Sequence, residues 1–233
     1  TGFALFIGGL AALLYLGLEP IVRKSWPDAL ISWTRLLAGR FRDPLVGRDT
    51  LIGVGVSAAV TAFVAAALAV QGTSGPGFAP TYIDLDGTLG IRGWIGQFLS
   101  VQINSLISPL FMMLLFATLK RWLKTTGRAA AAVGLVFGPI VALATAQDGG
   151  WFVAVLGLLQ LALVIGLLVR FGLLATVVSS LVGQIGNNFP LCTDTGRWYS
   201  AYGVAAYLAV LALAVWGAWR ASHGRVEPGE LRG

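Results

Sequence analysis

This chain is poor in the residues from which most catalytic centres are built. It has one cysteine, Cys192, and one histidine, His223. No intrachain disulfide, cysteine-based metal site or multi-histidine centre can therefore be assembled from it. A tetrapyrrole-binding helix normally offers a mid-span histidine, and His223 falls beyond the last apolar run, so no cofactor is expected. Charge is scarce as well: 11% of the 233 residues are Asp, Glu, Lys or Arg, against roughly 25% in soluble domains. Neither a Gly-x-Ser-x-Gly elbow nor a Walker loop occurs. The segment Gly87-Thr88-Leu89-Gly90-Ile91-Arg92-Gly93 has the wrong glycine spacing for a phosphate loop, and Gly47-Arg48-Asp49 echoes only part of a kinase catalytic loop. Metal and catalytic residues are read as none, and cofactor-binding residues are unknown.

What the chain has instead is apolar length. Hydrophobic residues make up 57% of it, and mean hydropathy is +0.81. A soluble core of this size cannot hide that much apolar side chain behind so little polar surface. A spanning helix needs about 20 predominantly apolar residues. Seven runs meet or approach this: 2–22, 51–71, 94–119, 129–147, 151–169, 173–191 and 199–219. The sixth is weakened by Gln184, Asn187, Asn188 and Pro190 near its end. The start, Thr1-Gly2-Phe3, lacks the basic n-region of a signal peptide, so the first run reads as a span. The expected fold is all-α: a single polytopic transmembrane domain over 1–233, with about seven spans and one amphipathic interfacial helix.

The net charge of +6 does not point to nucleic acid, because the cations sit between apolar runs, where they meet anionic headgroups. Alternating the seven spans puts fourteen of the sixteen Lys and Arg residues on one side, leaving only Arg92 and Arg197 on the other. By the positive-inside rule the chain starts outside and ends in the cytoplasm, in a bacterial inner membrane. Trp94, Trp122, Trp151, Trp198, Tyr199 and Trp219 flank the runs, where amphipathic rings favour the headgroup level.

The inner loop, 23–50, is longer than a connection needs. Pro27-Asp28 can open a helix in which Leu30, Trp33, Leu37 and Phe41 recur at helical spacing, with Thr34, Arg35 and Arg42 falling away from that stripe. This suits a helix in the membrane plane with Trp33, Arg35, Arg40 and Arg42 at the interface, or equally a small helix packed against the spans. In the second span Gly53, Ser57, Thr61 and Ala65 recur every fourth residue, a face for close helix packing. The third span carries Gln97, Ser100, Asn104 and Ser108, and the sixth Thr176, Ser180, Gln184 and Asn187, each on one helix face. Such faces suit either a small-molecule or ion pathway or hydrogen bonding between helices; with no charge in either, helix packing is favoured. Glu19, one turn before Arg23-Lys24, reads as a snorkelling ion pair. Expected partners are the lipid bilayer and either a second copy or other membrane subunits.

Three stretches carry a resemblance. They read Leu18-Glu19-Pro20-Ile21-Val22-Arg23-Lys24-Ser25-Trp26-Pro27, Leu30-Ile31-Ser32-Trp33-Thr34-Arg35-Leu36-Leu37-Ala38-Gly39-Arg40 and Arg42-Asp43-Pro44-Leu45-Val46-Gly47-Arg48-Asp49. The region resembles the multi-span C-terminal part of certain bacterial serine/threonine protein kinases. Arg170-Phe171-Gly172-Leu173-Leu174, Asn188-Phe189-Pro190-Leu191 and Arg197-Trp198-Tyr199 look like later landmarks of it. The resemblance implies a kinase domain N-terminal to the spans, outside this chain, and a role in anchoring or sensing for it. No catalytic residue carries over, since the Gly-rich loop, strand lysine, His-Arg-Asp loop and Asp-Phe-Gly are all missing. The alternative is an accessory subunit of a larger electron-transfer or photosynthetic complex; a small transporter is the third reading.

Overall fold

The computed structural model describes residues 26–72, 90–189 and 200–223, with individual helical positions between Gly9 and Lys24. Most of the first run, Glu19, Arg23, Asp84, Asp86, Pro190, Cys192, Arg197, Trp198 and Tyr199 lie outside the described residues. A 3-10 turn, Pro27–Leu30, leads into α1 (Ile31–Leu37), followed by α2 (Pro44–Gly72), α3 (Ile91–Leu123), α4 (Thr126–Phe171), α5 (Leu173–Asn188) and α6 (Ser200–His223). Every described element is helical, as a bilayer demands of a chain that must satisfy its own backbone groups. Five stretches are long and apolar enough to cross: Pro44–Ala67, Ile91–Leu123, Thr126–Ala146, Gly150–Phe171 and Ser200–His223. The chain is a multi-pass membrane protein.

Helix α2 starts at Pro44, seven residues ahead of the expected start at Leu51. Local chemistry explains the shift. The Asp43 carboxylate accepts the Leu45 backbone N–H at 2.9 Å, an N-cap, and Pro44 occupies the first helical position, where no N–H is needed. Arg48 and Asp49 pair with each other and so continue the helix instead of ending it.

Helix α4 is a hairpin. Its 46 residues are all helical, yet Gly150 adopts φ +71°. A methyl placed on Gly157 would lie 3.0 Å from Val141 and from Thr145, residues that a straight helix would put roughly 18–24 Å away. The chain reverses at Asp148-Gly149-Gly150, between the fourth and fifth runs.

The sixth run is shorter than expected, although it reaches from Gly172 at one end of the bundle to Asn188 beside Gln97 toward the other. Helix α5 has 16 residues, about 24 Å of rise, and falls short of a hydrocarbon core of about 30 Å. It is instead the centre of the bundle, packed on α2, α3 and α4. Every residue from Leu173 to Ser179 is buried. Helix α6 closes the far side of α2.

The contacts define two ends. At one, Trp26 packs on Phe116 and under Lys120, Gly172 meets Ala29, and Gly47 meets Gly217 and Arg220. At the other, Trp94 stacks on Phe98 and donates its indole N–H to the Tyr202 carbonyl at 3.0 Å. Among the described residues every Lys and Arg except Arg92 belongs to the first end, called here the basic end. Between the ends Phe63, Leu135, Leu143, Leu208 and Leu211 are exposed, as side chains that meet lipid should be. Among the described residues Trp122 and Trp151 are the most exposed aromatics, at 80% and 78%, each at the end of a span.

Candidate functional site

Two cavities gather many of the polar side chains among the described residues. The larger in polar content lies inside the bundle, has a volume of about 300 Å³, and is walled by α2, α3, both arms of α4, and α5. Helix α5 supplies Thr176, Ser179, Ser180, Gln184 and Asn187, and the neighbouring helices add Ser57, Ser108, Thr145 and Gln160. The helical spacing of the α5 residues forces them onto one side, where Thr176 and Ser179 are buried, Ser180 and Gln184 half-buried and Asn187 exposed. Pro109, which cannot donate to the helix ladder, lies in the same wall as Ser108 and Met112. No lining residue is charged, and none is aromatic.

The polar stripes make few bonds across helices. Gln97 donates its amide to the Asn188 side chain at 2.8 Å, joining α3 to α5. Asn188 in turn donates to the Gln184 carbonyl within its own helix at 2.8 Å, and the Thr176 hydroxyl bonds back to Gly172. Asn104 reaches Ser100 at 3.5 Å on an exposed part of α3. Gln97 and Asn104 therefore lie away from the cavity, whereas Ser108, Ser180, Gln184 and Asn187 line it.

The small-residue face of α2 is turned inward, onto α5. A methyl on Gly53 would stand 2.6 Å from the Ala175 carbonyl oxygen, and the Ser57 hydroxyl is 3.4 Å from where Gly183 would carry one. Thr61 continues the row toward Gly186 at 3.9 Å. Close backbone approach of this kind is what small residues permit in lipid, where packing rather than the hydrophobic effect joins helices.

The second cavity, about 260 Å³, sits at the basic end between Trp26, Asp28, Ser32, Arg48 and Asp49 on one side and Arg170, Phe171 and Gly172 on the other. Asp49 is 2% exposed. Its carboxylate accepts the Ser32 hydroxyl and both Nε and Nη2 of Arg48, at 3.0 and 2.9 Å. A buried charge in a membrane protein is tolerated when it is paired in this way. Gly172 makes the junction possible: at φ +83° and ψ −164° it occupies a region essentially restricted to glycine, and a methyl there would strike the Ala29 oxygen at 2.5 Å.

The inner helix divides its stripe. Leu30 and Trp33 are buried, at 2% and 8%, while Leu37 and Phe41 are exposed. Trp33 thus lies in the protein core, its indole N–H without an acceptor among the described residues. Arg35 forms a 2.6 Å ion pair with the capping Asp43, and Arg40 and Arg42 are exposed.

Thr145, Gln160 and Asp49 are functional candidates that the sequence reading passed over. A lone glutamine in an otherwise apolar span was the available signal for Gln160; Thr145 joins it only because the hairpin folds back. No group of three His, Cys, Asp or Glu side chains gathers among the described residues. Comparison with family models, with curated proteins and with solved structures returns no match to this chain.

Proposed function

We propose that this chain is a non-catalytic membrane domain that anchors, and senses for, a cytoplasmic serine/threonine kinase. What carries the reading is the meeting of sequence-distant landmarks at the basic end. Trp26, Ser32, Arg48 and Asp49 come from the stretch that resembles kinase-linked membrane regions, Arg170, Phe171 and Gly172 come from a later landmark, and together they enclose one cavity. A junction of this kind, on the side where cations face the cytoplasm under the positive-inside rule, suits a relay between the bundle and a soluble domain. The uncharged cavity within the bundle supplies a place for a ligand to act on that relay, through α5, whose first residue follows Gly172 directly.

The charge split sets the orientation on which this reading rests. Cysteines at Arg92 and Thr125, in a Cys192→Ser background, are expected to label from outside and inside respectively.

The decisive experiment is native purification from the source membrane followed by labelled ATP. Phosphate transfer by the native protein, with none by the 233-residue chain alone, is the expected result. A native protein that neither contains nor co-purifies with phosphotransfer activity, and elutes instead with electron-transfer or pigment subunits, overturns the reading in favour of an accessory subunit.

A further inference from the structure

The bundle cavity does not end at its polar wall. Val56, Val60, Gln160 and Leu163 line it and also line a second space, a groove of about 460 Å³ between α2 and the second arm of α4. That groove is otherwise bounded by Ala59, Phe63, Val64, Leu156 and Leu159. Phe63 and Leu159 are 59% and 48% exposed, so the groove opens toward lipid. A polar chamber therefore adjoins an apolar furrow along a shared boundary, and each is of the size that small-molecule sites take, roughly 300–1,000 Å³.

The polar member of that boundary is Gln160. It lies ten residues from Gly150 and eleven from Phe171, the ends of its span, close to mid-depth. Its side chain is exposed and makes no hydrogen bond to any described residue. Ser108 and Ser180 likewise present side-chain polar atoms to the chamber without bonding another described residue, and Asn187 does so nearer the end marked by Trp94. Unmatched amides and hydroxyls are costly at that depth, and a ligand that matches them is held strongly for the same reason.

We infer that the chamber and groove together bind a neutral, single-chain amphiphile with a hydroxyl-bearing, glycerol-like head. The absence of charge from the lining excludes an ionised head, because an isolated ion has no counter-charge here. Serine hydroxyls and glutamine or asparagine amides both donate and accept, which suits a diol better than an acceptor-only quinone. No aromatic ring lines the chamber, so a quinone would also find nothing to stack on. One furrow between two helices accommodates one tail. The inference deepens the sensing half of the reading above by naming its ligand class, and it is tested on the chain alone, so it fails independently of the phosphotransfer experiment.

The probe is 1-oleoylglycerol carrying a diazirine in its acyl chain, added to the 233-residue protein in nanodiscs, irradiated and mapped by mass spectrometry. Label is expected on Phe63, Val64, Leu156 and Leu159, and excess 1-oleoylglycerol should compete it away while oleate at pH 9 and decylubiquinone do not. Gln160→Leu and Ser108→Phe should each weaken competition roughly tenfold or more, the loss expected when one or two buried hydrogen bonds disappear. Label spread evenly onto Leu208 and Leu211, equal competition by oleate or the quinone, or unchanged competition in both variants overturns the inference. The competition series needs no variant and decides the matter even if a substitution prevents folding.

Discussion

The second arm of α4 and helix α5 are neighbours in sequence, joined only by Gly172, and they are opposites. The arm, Gly150–Phe171, is almost wholly apolar and shows much of itself to lipid, with Val155, Leu159 and Leu163 exposed. Helix α5 carries serines, a threonine and amides, yet it is the most enclosed element of the bundle. In water the order would be reversed. In lipid an apolar side chain gains little by leaving the solvent, while a polar one gains by finding a partner or a cavity inside the protein. Burial in this molecule therefore follows close packing more than hydropathy: α5 buries seven apolar residues together with Thr176 and Ser179, while the more apolar arm faces lipid.

The sharpest way to break this contrast is at the residue that joins the two helices. Gly172→Ala puts a side chain into a backbone region reserved for glycine and against the Ala29 carbonyl at 2.5 Å. A loss of about 3 kcal/mol or more is expected, read as a lowered unfolding midpoint in a detergent titration. Next, Gly53→Leu should cost about 2–3 kcal/mol, because Ala175 and Val178 of α5 leave no room for it. Leu159→Ala, a change of similar size on the arm's lipid face, should stay within about 0.5 kcal/mol. Equal effects from the last two would dissolve the distinction between a packed polar helix and a lipid-facing apolar one. The mildest test is Gln97→Leu, which removes the bond from α3 to Asn188; a loss of about 0.6 kcal/mol is expected from the usual worth of such bonds in membranes.

The second of these substitutions also bears on assembly. The row Gly53, Ser57, Thr61 is spent inside the bundle against α5, so widening it should disturb the chain's own fold before it disturbs any complex. Ser100 and Asn104 are exposed on α3 and line no part of the chamber.

Much of this was legible in the residues. Five of the runs appear as long apolar helices, and the reversal lies at Asp148-Gly149-Gly150 because two glycines and a charge interrupt the apolar pattern there. The polar periodicity of α5 marked one face correctly as a unit, since helical spacing is a local property. The start of α2 was missed by seven residues because Arg48 and Asp49 look like loop until their pairing, which is tertiary for Ser32, is known. Trp33 looked like an interfacial anchor because an amphipathic stripe does not reveal what covers it; two of its four members turned out to face protein and two to face outward.

By itself, then, the sequence determined the solvent of this protein, the positions of its long apolar helices and the accumulation of cations at alternate connections, all of which depend on composition and spacing along the chain. Only the tertiary structure decided which polar residues meet. Thr145 and Gln160 reach the same chamber through a hairpin, Ser57 and Ser108 through packing on α5, and Asp49 reaches Ser32 across seventeen residues. Those encounters are set by where glycines let backbones touch, at Gly53, Gly157 and Gly172, and a contact between distant segments has no period to read.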